Sequence, residues 1–311
     1  DTRYGSSSNS LSHTSILSLY KDMQGNIWVG TYYGGVNVFN PDKNNHSFYC
    51  AEPLREDCLS FPVVGKMTED SAGNVWICTE GGGLNCYHGD TGVFSRYMYH
   101  KGDQGTLGSN NVKSIFYRKE NNRLYAGTHL GGLFVLDLKS NKGHTLHHVT
   151  GDPASLPHEI VNDIQEYKDG IAMLTQGGPV FFDPVTEKFS PLTDDPSVQK
   201  LISREYAFET FLIDSRHRMW LAVGGGGIVC VNLSSSKVTQ YMADSEKDTL
   251  TVGRYKTVHI FEDNKGDIYF STIGAGIFKY QEKQDTFKSY GTTNGVLPSN
   301  YCYYICESAR D

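Results

Sequence analysis

The sequence predicts an all-β fold: a β-propeller of six complete four-stranded antiparallel repeats, each about 48 residues long, with partial strands at both ends. Three observations predict it. A turn-and-aromatic pattern recurs six times in phase, each copy alternates apolar and polar residues between turn signals, and the composition favours pleated structure. The chain has 20 Tyr, 15 Phe and 33 Gly against 10 Pro. Aromatics suit half-buried strands and glycines mark turns and bulges. A chain of 311 residues is long for one ordinary core but not for an array of repeats.

The first copy sets the frame: Asp22 and Gly25 in a tight turn, then Trp28, Gly30, Thr31, Gly34, Gly35 and Val36. The second repeats it with Asp70, Gly73, Trp76, Thr79, Gly82, Gly83 and Leu84. The third has Tyr125 at the Trp position and replaces the turn Asp and Gly with Lys119 and Asn122. The fourth is degenerate, with Ala172, Thr175, Gly177 and Gly178. The fifth carries Asp214, Trp220 and Gly226-Gly227, and the sixth Asp263, Gly266, Tyr269, Thr272 and Gly274-Ala275-Gly276. Markers at 28, 76, 125, 172, 220 and 269 are 48, 49, 47, 48 and 49 residues apart.

Each copy parses into an apolar strand, a D-x-x-G turn, a strand centred on the marker, a glycine pair, a third strand and an outer strand with aromatics such as Phe48-Tyr49. Fixed turn offsets between alternating runs predict hairpin-connected antiparallel strands. A single such sheet cannot bury both faces, so neighbouring sheets must supply the core. The blades fall at about 11–58, 59–106, 107–155, 156–203, 204–251 and 252–298 of one propeller segment spanning 1–311. Asn300 to Glu307 reads as the first strand of a further blade within 299–311, and residues 1–8 as one outer strand at the other end, which suggests a seven-bladed parent.

Charge and cysteine content exclude several classes. A net charge of −7 without a basic stripe argues against nucleic acid and against an anionic membrane surface. No apolar run approaches the ~18 residues of a membrane helix. The seven cysteines include no C-x-x-C pair, so no zinc ribbon or redox motif is expected. Cys50 and Cys58 are placed to close a loop disulfide, and buried free thiols are the other reading. His144, His147 and His148 fit a solvated outer strand or turn, so neither a metal site nor a cofactor is expected.

The pattern D-x-x-G-[NDR]-φ-W-φ-G-T-x-x-G-G-φ resembles the two-component regulator propeller repeat, over roughly residues 11–307. The resemblance implies the periplasmic sensor region of a hybrid histidine kinase/response regulator, membrane-anchored and homodimeric in the parent chain. It implies carbohydrate sensing, with an oligosaccharide as ligand and neighbouring sensor domains as partners. No kinase, receiver or helix-turn-helix segment accompanies it here.

Hairpin connectivity sorts the loops. The D-x-x-G turns emerge on one face, where Asp22, Asp70, Asp214 and Asp263 are expected to cap turn amides. The glycine-pair loops and the blade-to-blade connections emerge on the other, which varies from copy to copy as functional loops do. Aromatics there suit sugar rings, and Arg suits a carboxylate or sulfate. The candidate ligand-binding or domain-contact set is Tyr32, His129, His158, Arg204, Tyr206, Arg254 and Tyr255. A glycoside hydrolase or lyase would need two convergent carboxylates. Only Glu80, Glu159 and Glu205 lie on that face, on different blades, so no catalytic residues are expected. A protein-interaction propeller without a small-molecule site is the alternative.

Overall fold

The computed structural model describes residues 10–43, 45–52, 55, 57–243 and 252–307, with the side chains of Asn45 and Arg204 left aside. Among these residues there are 24 strands in six four-stranded antiparallel sheets, and within each sheet consecutive strands pair. Blade one is β1(Ile16–Lys21), β2(Ile27–Thr31), β3(Val36–Asn40) and β4(Asn45–Tyr49). Blade two is β5(Val64–Glu69), β6(Val75–Thr79), β7(Leu84–Tyr87) and β8(Phe94–Tyr97). Blade three is β9(Val112–Arg118), β10(Arg123–Thr128), β11(Leu133–Asp137) and β12(Lys142–Leu146). Blade four is β13(Val161–Tyr167), β14(Gly170–Thr175), β15(Gly178–Asp183) and β16(Lys188–Pro191). Blade five is β17(Phe208–Ile213), β18(Arg218–Val223), β19(Ile228–Asn232) and β20(Val238–Tyr241). Blade six is β21(Lys256–Glu262), β22(Ile268–Ile273), β23(Gly276–Gln281) and β24(Thr286–Tyr290). These are the blades of a β-propeller, and residues 1–166 and 167–311 form two compact units. The expected outer strand at 1–8 lies outside the described residues.

The core lies between consecutive sheets. In the first unit, Trp28, Val64, Met67 and Ile77 pack blade one on blade two, and Trp76, Leu107, Ile115 and Phe134 pack blade two on blade three. In the second, Leu174, Phe211, Met219 and Val229 form one cluster and Trp220, Ile260, Phe270 and Phe278 another. The markers Trp28, Trp76, Tyr125 and Trp220 are all at most 3% exposed. Each takes roughly 150–250 Å² of ring surface from water.

The marker and the turn Asp form one device. Asp22 Oδ1 accepts the Asn26 backbone N–H at 2.7 Å, and its Oδ2 accepts the Trp28 indole N–H at 2.7 Å. Asp70 does the same for Asn74 and Trp76, and Asp214 for Arg218 and Trp220. In blade six the Tyr269 hydroxyl donates to Asp263 Oδ2 at 3.2 Å. An indole N–H buried between sheets needs an acceptor, and a carboxylate there needs donors. The expected turn capping is present, with the indole as a further donor. Blade three lacks the Asp but keeps the turn: Asn122 adopts φ 50°, which Asn tolerates. Its marker hydroxyl is met instead by Asn121 Nδ2 at 2.7 Å.

The glycine loops are closed by the Thr that follows the marker strand. Thr31, Thr79, Thr128 and Thr272 hydroxyls donate to the carbonyls of Gly35, Gly83, Gly132 and Gly276 at 2.7–2.9 Å. Gly83 has φ 72°, and a Cβ there would sit 2.3 Å from the Tyr97 carbonyl oxygen. Only glycine fits that approach.

Blades are also linked by a recurring clasp. The residue after Asp22 and after Asp214 donates its backbone N–H to the carboxylate that ends the next innermost strand: Met23 to Glu69 at 2.8 Å and Ser215 to Glu262 at 2.9 Å. Asn264 donates likewise to Glu307 at 3.1 Å. The Gly274 and Gly276 amides donate to the Asn300 carbonyl, as the Gly81 and Gly83 amides donate to that of Asn110. Residues 300–307 thus follow the track of an innermost strand, although only Tyr301 forms a bridge, to Ile273.

One element departs from the pattern. Between blades four and five, α1(Pro196–Lys200) runs into a π-turn over Leu201–Glu205. Asp195 caps it through the Ser197 and Val198 amides, and Pro196 stands at the first helical position. Val198 and Ile202 are buried in the blade-four/five cluster.

Candidate functional site

The glycine-pair loops and the lead-in segments of the next blade meet by hydrogen bonds in the first unit: Gly35 N–H to the Pro62 carbonyl, and Gly132 N–H to that of Glu159. In that unit the loops expected to share a face therefore meet across neighbouring blades.

In the first unit, Tyr32 follows β2 and is anchored by its N–H to the Ser15 carbonyl at 2.9 Å. Its ring lies edge-on to Tyr33, centroids 4.5 Å apart. The Tyr32 hydroxyl is pushed above its ordinary range, first by the neighbouring Tyr33 hydroxyl and also by the nearby Glu80 carboxylate. Glu80 pairs with Lys113 of blade three at 3.4 Å. His129 follows β10, its N–H bound to the Asn111 carbonyl. His158 has a backbone duty: its Nδ1 accepts the Ile160 N–H at 3.1 Å, as His13 Nδ1 accepts that of Ser15 at 3.0 Å. That bond places the ring proton on Nε2.

In the second unit, Tyr206 leaves the π-turn in extended conformation and packs on the blade-four/five cluster, its hydroxyl 3.5 Å from Gln240 Oε1. Arg254 ends a 3₁₀ turn, Val252–Arg254, with its side chain exposed. Tyr255 packs partly buried against the blade-five/six cluster, 6.3 Å from the Phe278 ring. The Arg204 backbone lies in the π-turn and its side chain outside the described atoms. Tyr206 and Tyr255 therefore expose edges of core-packed rings, whereas Tyr32 stands out from the loop at 42% exposure.

Two features of the first unit escape sequence reasoning. Tyr33 and Leu130 occupy one loop position, five residues past the marker, with φ 68° and 62° and exposures of 61% and 65%. Gly81 holds that position in blade two. Bulky residues held left-handed cost about 1–2 kcal/mol each, and such strain gathers at functional sites. The signal in sequence was the failure of glycine to recur there. The second is an ion pair between Lys66 on β5 and Asp163 on β13, innermost strands two blades apart. Both side chains are largely buried, at 31% and 11% exposure.

Among the described residues no three His, Cys, Asp or Glu side chains cluster as a metal site. His147 Nδ1 meets Glu159 Oε2 at 3.1 Å, and Glu159 Oε1 accepts the His148 N–H at 2.9 Å. All seven cysteines are free thiols. Cys50 and Cys58 lie against Glu52 and Asp57, and burial pushes the Cys86 and Cys230 thiols up to about 12. No helix of the described residues is long and apolar enough to cross a membrane.

Comparison with known proteins follows the same lines. Residues 10–33 match the family model described as "Two component regulator propeller". No curated protein matches the chain in sequence. The chain superposes on the extracellular domain of a protein described as a hybrid two-component system, BT3049 of B. thetaiotaomicron, with TM-score 0.73 and 21% identity, over 95% of this chain and 37% of that one. The corresponding domain of BT4673 gives TM-score 0.69 and 20% identity over 92% and 37%. PorZ, a surface component of the type-IX secretion system of Porphyromonas gingivalis, gives 0.65 and 15% over 92% and 43%. The chain spans well under half the length of these solved chains. In its first repeat the chain matches the two-component regulator propeller directly, and in fold it is similar to extracellular domains of hybrid two-component systems.

Proposed function

We propose that this chain is a non-catalytic sensor propeller, periplasmic in its parent protein, that takes part in recognising an oligosaccharide and relays that signal to a histidine kinase elsewhere in a membrane-anchored, homodimeric parent chain. The observation that carries the reading is the coincidence of the family-model match at residues 10–33 with a fold likeness, covering 95% of the chain, to the extracellular domain of a protein described as a hybrid two-component system. The loop face supports it. Tyr32, Tyr33 and Glu80 with Lys113 supply an aromatic surface beside polar groups, which is how sugar sites combine stacking with orientation. Two of the three acids on that face argue against hydrolysis, since Glu80 is paired to Lys113 and Glu159 to His147 and the His148 amide.

Calorimetric titration of this chain, and of a longer sensor region, with neutral and acidic oligosaccharides tests the reading. Binding to the chain alone, weakened by Tyr32→Ala or Arg254→Ala, supports a site on this propeller. Binding to neither protein removes the sugar and leaves protein contact. That second reading is favoured by Tyr33 and Leu130, two exposed apolar side chains held out in left-handed loops. Release of sugar from a polysaccharide by the purified chain would overturn the non-catalytic assignment.

A further inference from the structure

The repeat supplies an internal comparison on the opposite face, where the D-x-x-G turns lie. Between blades five and six, Trp220 stacks on Tyr241 at 6.2 Å and meets Tyr280 edge-on at 4.9 Å. Between blades one and two, Trp28 stacks on Tyr49 at 6.3 Å and meets Tyr87 edge-on at 5.1 Å. The three rings hold the same repeat positions in both clefts. What stands between them differs.

In the five/six cleft the occupant is a guanidinium. Arg218, two residues before its marker, lies over Trp220 and Tyr280, 5.1 and 5.6 Å from their ring centroids. Its Nε donates to Asp214 Oδ2 at 2.7 Å, and Nη1 pairs with Glu282 at 3.3 Å. In the one/two cleft the corresponding positions are Asn26 and Gly89, and a cleft of about 300 Å³ opens there. Asn26 lines the cleft but is short: its amide donates to Asp22 Oδ2, as Arg218 Nε does to Asp214, and accepts from Asn40, without reaching over the rings as the guanidinium does. Gly89 cannot refill the space, because a Cβ on it would lie 2.8 Å from the Gly73 carbonyl oxygen.

The walls that receive a cation remain. The ring faces are present, and buried Asp22 lines the cleft. Glu69 stands behind Gly73, 8% exposed and not itself in the lining, with Oε2 bound to the Met23 N–H, Oε1 without a close hydrogen bond, and the Gln24 amide of the lining beside the carboxylate. A Cβ on Gly73, itself a lining residue, would come within 3.8 Å of that oxygen. A buried carboxylate oxygen without a donor is a costly feature unless something supplies one.

We propose that the cleft between blades one and two binds an organic cation of the guanidinium class, seated on Trp28 and Tyr87 as Arg218 is seated on Trp220 and Tyr280. Such a group brings planar donors and a charge that aromatic faces and carboxylates both favour. It comes either from a free small molecule or from an arginine side chain of a polypeptide.

The test titrates the chain with agmatine, with the capped peptide Gly-Arg-Gly and with maltose, followed by calorimetry. Agmatine is expected to bind saturably. Asn26→Arg, which places a guanidinium in the cleft from within, is expected to weaken that binding about tenfold or more. Glu69→Gln, a milder change that keeps an acceptor for Met23, is expected to weaken it severalfold, with folding checked by thermal melts. Binding of agmatine alone assigns the site to a free cation, and binding of both agmatine and the peptide to an arginine side chain. Absence of agmatine binding, equal binding by Asn26→Arg, or a response to maltose lost in the same variant overturns the proposal.

Discussion

Replacing Asp70 with asparagine tests the bond between the turn and the inter-blade core. The Asp70 carboxylate receives the Ala72 N–H at 2.9 Å, the Asn74 N–H at 3.1 Å and the Trp76 indole N–H at 2.8 Å. Asparagine keeps one oxygen, so it can serve the turn amides or the indole but not both. The turn is exposed, and its amides can find water. Trp76 is 3% exposed and its N–H cannot. Orphaning it costs about 1–3 kcal/mol, and the remaining bonds lose their charge, worth roughly another 1 kcal/mol. A loss of about 2–4 kcal/mol is expected, read from urea unfolding by far-UV circular dichroism. The same change in a Trp76→Phe background should cost only about 1 kcal/mol, since no indole N–H is left to orphan. That difference is a coupling of ~2 kcal/mol. Equal costs in both backgrounds, within about 0.5 kcal/mol, would refute the linkage of turn and core.

Three further outcomes are expected. Tyr33→Gly or Leu130→Gly should stabilise the fold by about 1 kcal/mol by relieving a left-handed backbone, while weakening whatever binds the loop face; a melt paired with a binding titration reads both. Lys66→Met should cost about 2–3 kcal/mol, because it leaves Asp163 largely buried without its ion pair, whereas Arg55→Met in the exposed pair with Asp57 should change stability by less than about 1 kcal/mol. Burial raises the Glu69 carboxyl above its ordinary value, and Asp22 and Asp70 push the same way. A raised acid favours the folded state while protonated, so its contribution is present below the unfolded value of about 4.5 and fades as pH rises through the folded one. Glu69→Gln should therefore raise the urea midpoint at pH 7 and leave it nearly unchanged at pH 4.

The fold could be read from sequence because each copy repeats a local cause. Turn, marker and glycine pair sit at fixed offsets, and each residue's task is settled within six or seven positions of itself. Even the substituted third turn keeps its shape, since Asn122 adopts the backbone its glycine counterparts use. The repeat does not predict the helix at 196–200, although Asp195-Pro196 is a start signal, because the frame counts that stretch within the fourth blade, 156–203. Much less of the site was legible. His158 reads as a ligand-binding side chain, yet its Nδ1 holds its own turn; Lys66 and Asp163 are 97 residues apart, and nothing local links them. Spacing finds what one blade does to itself and misses what distant blades do to each other.

The shared bond between turn acid and marker also has a consequence for how such repeats drift. A Trp lost alone would strand a buried carboxylate, and an Asp lost alone would strand an indole, so either single step passes through a weakened protein. The two positions should therefore change together, and the six copies here fit that rule. Trp28, Trp76 and Trp220 each retain the acid six residues earlier, as does Tyr269, whose hydroxyl still uses it. Tyr125 has Lys119 at that place and has recruited Asn121 instead. Ala172, with no polar head to satisfy, has an exposed glutamate there, Glu166. Among related chains, a marker aromatic and its acid would then be inherited as one character, lost or kept as a pair.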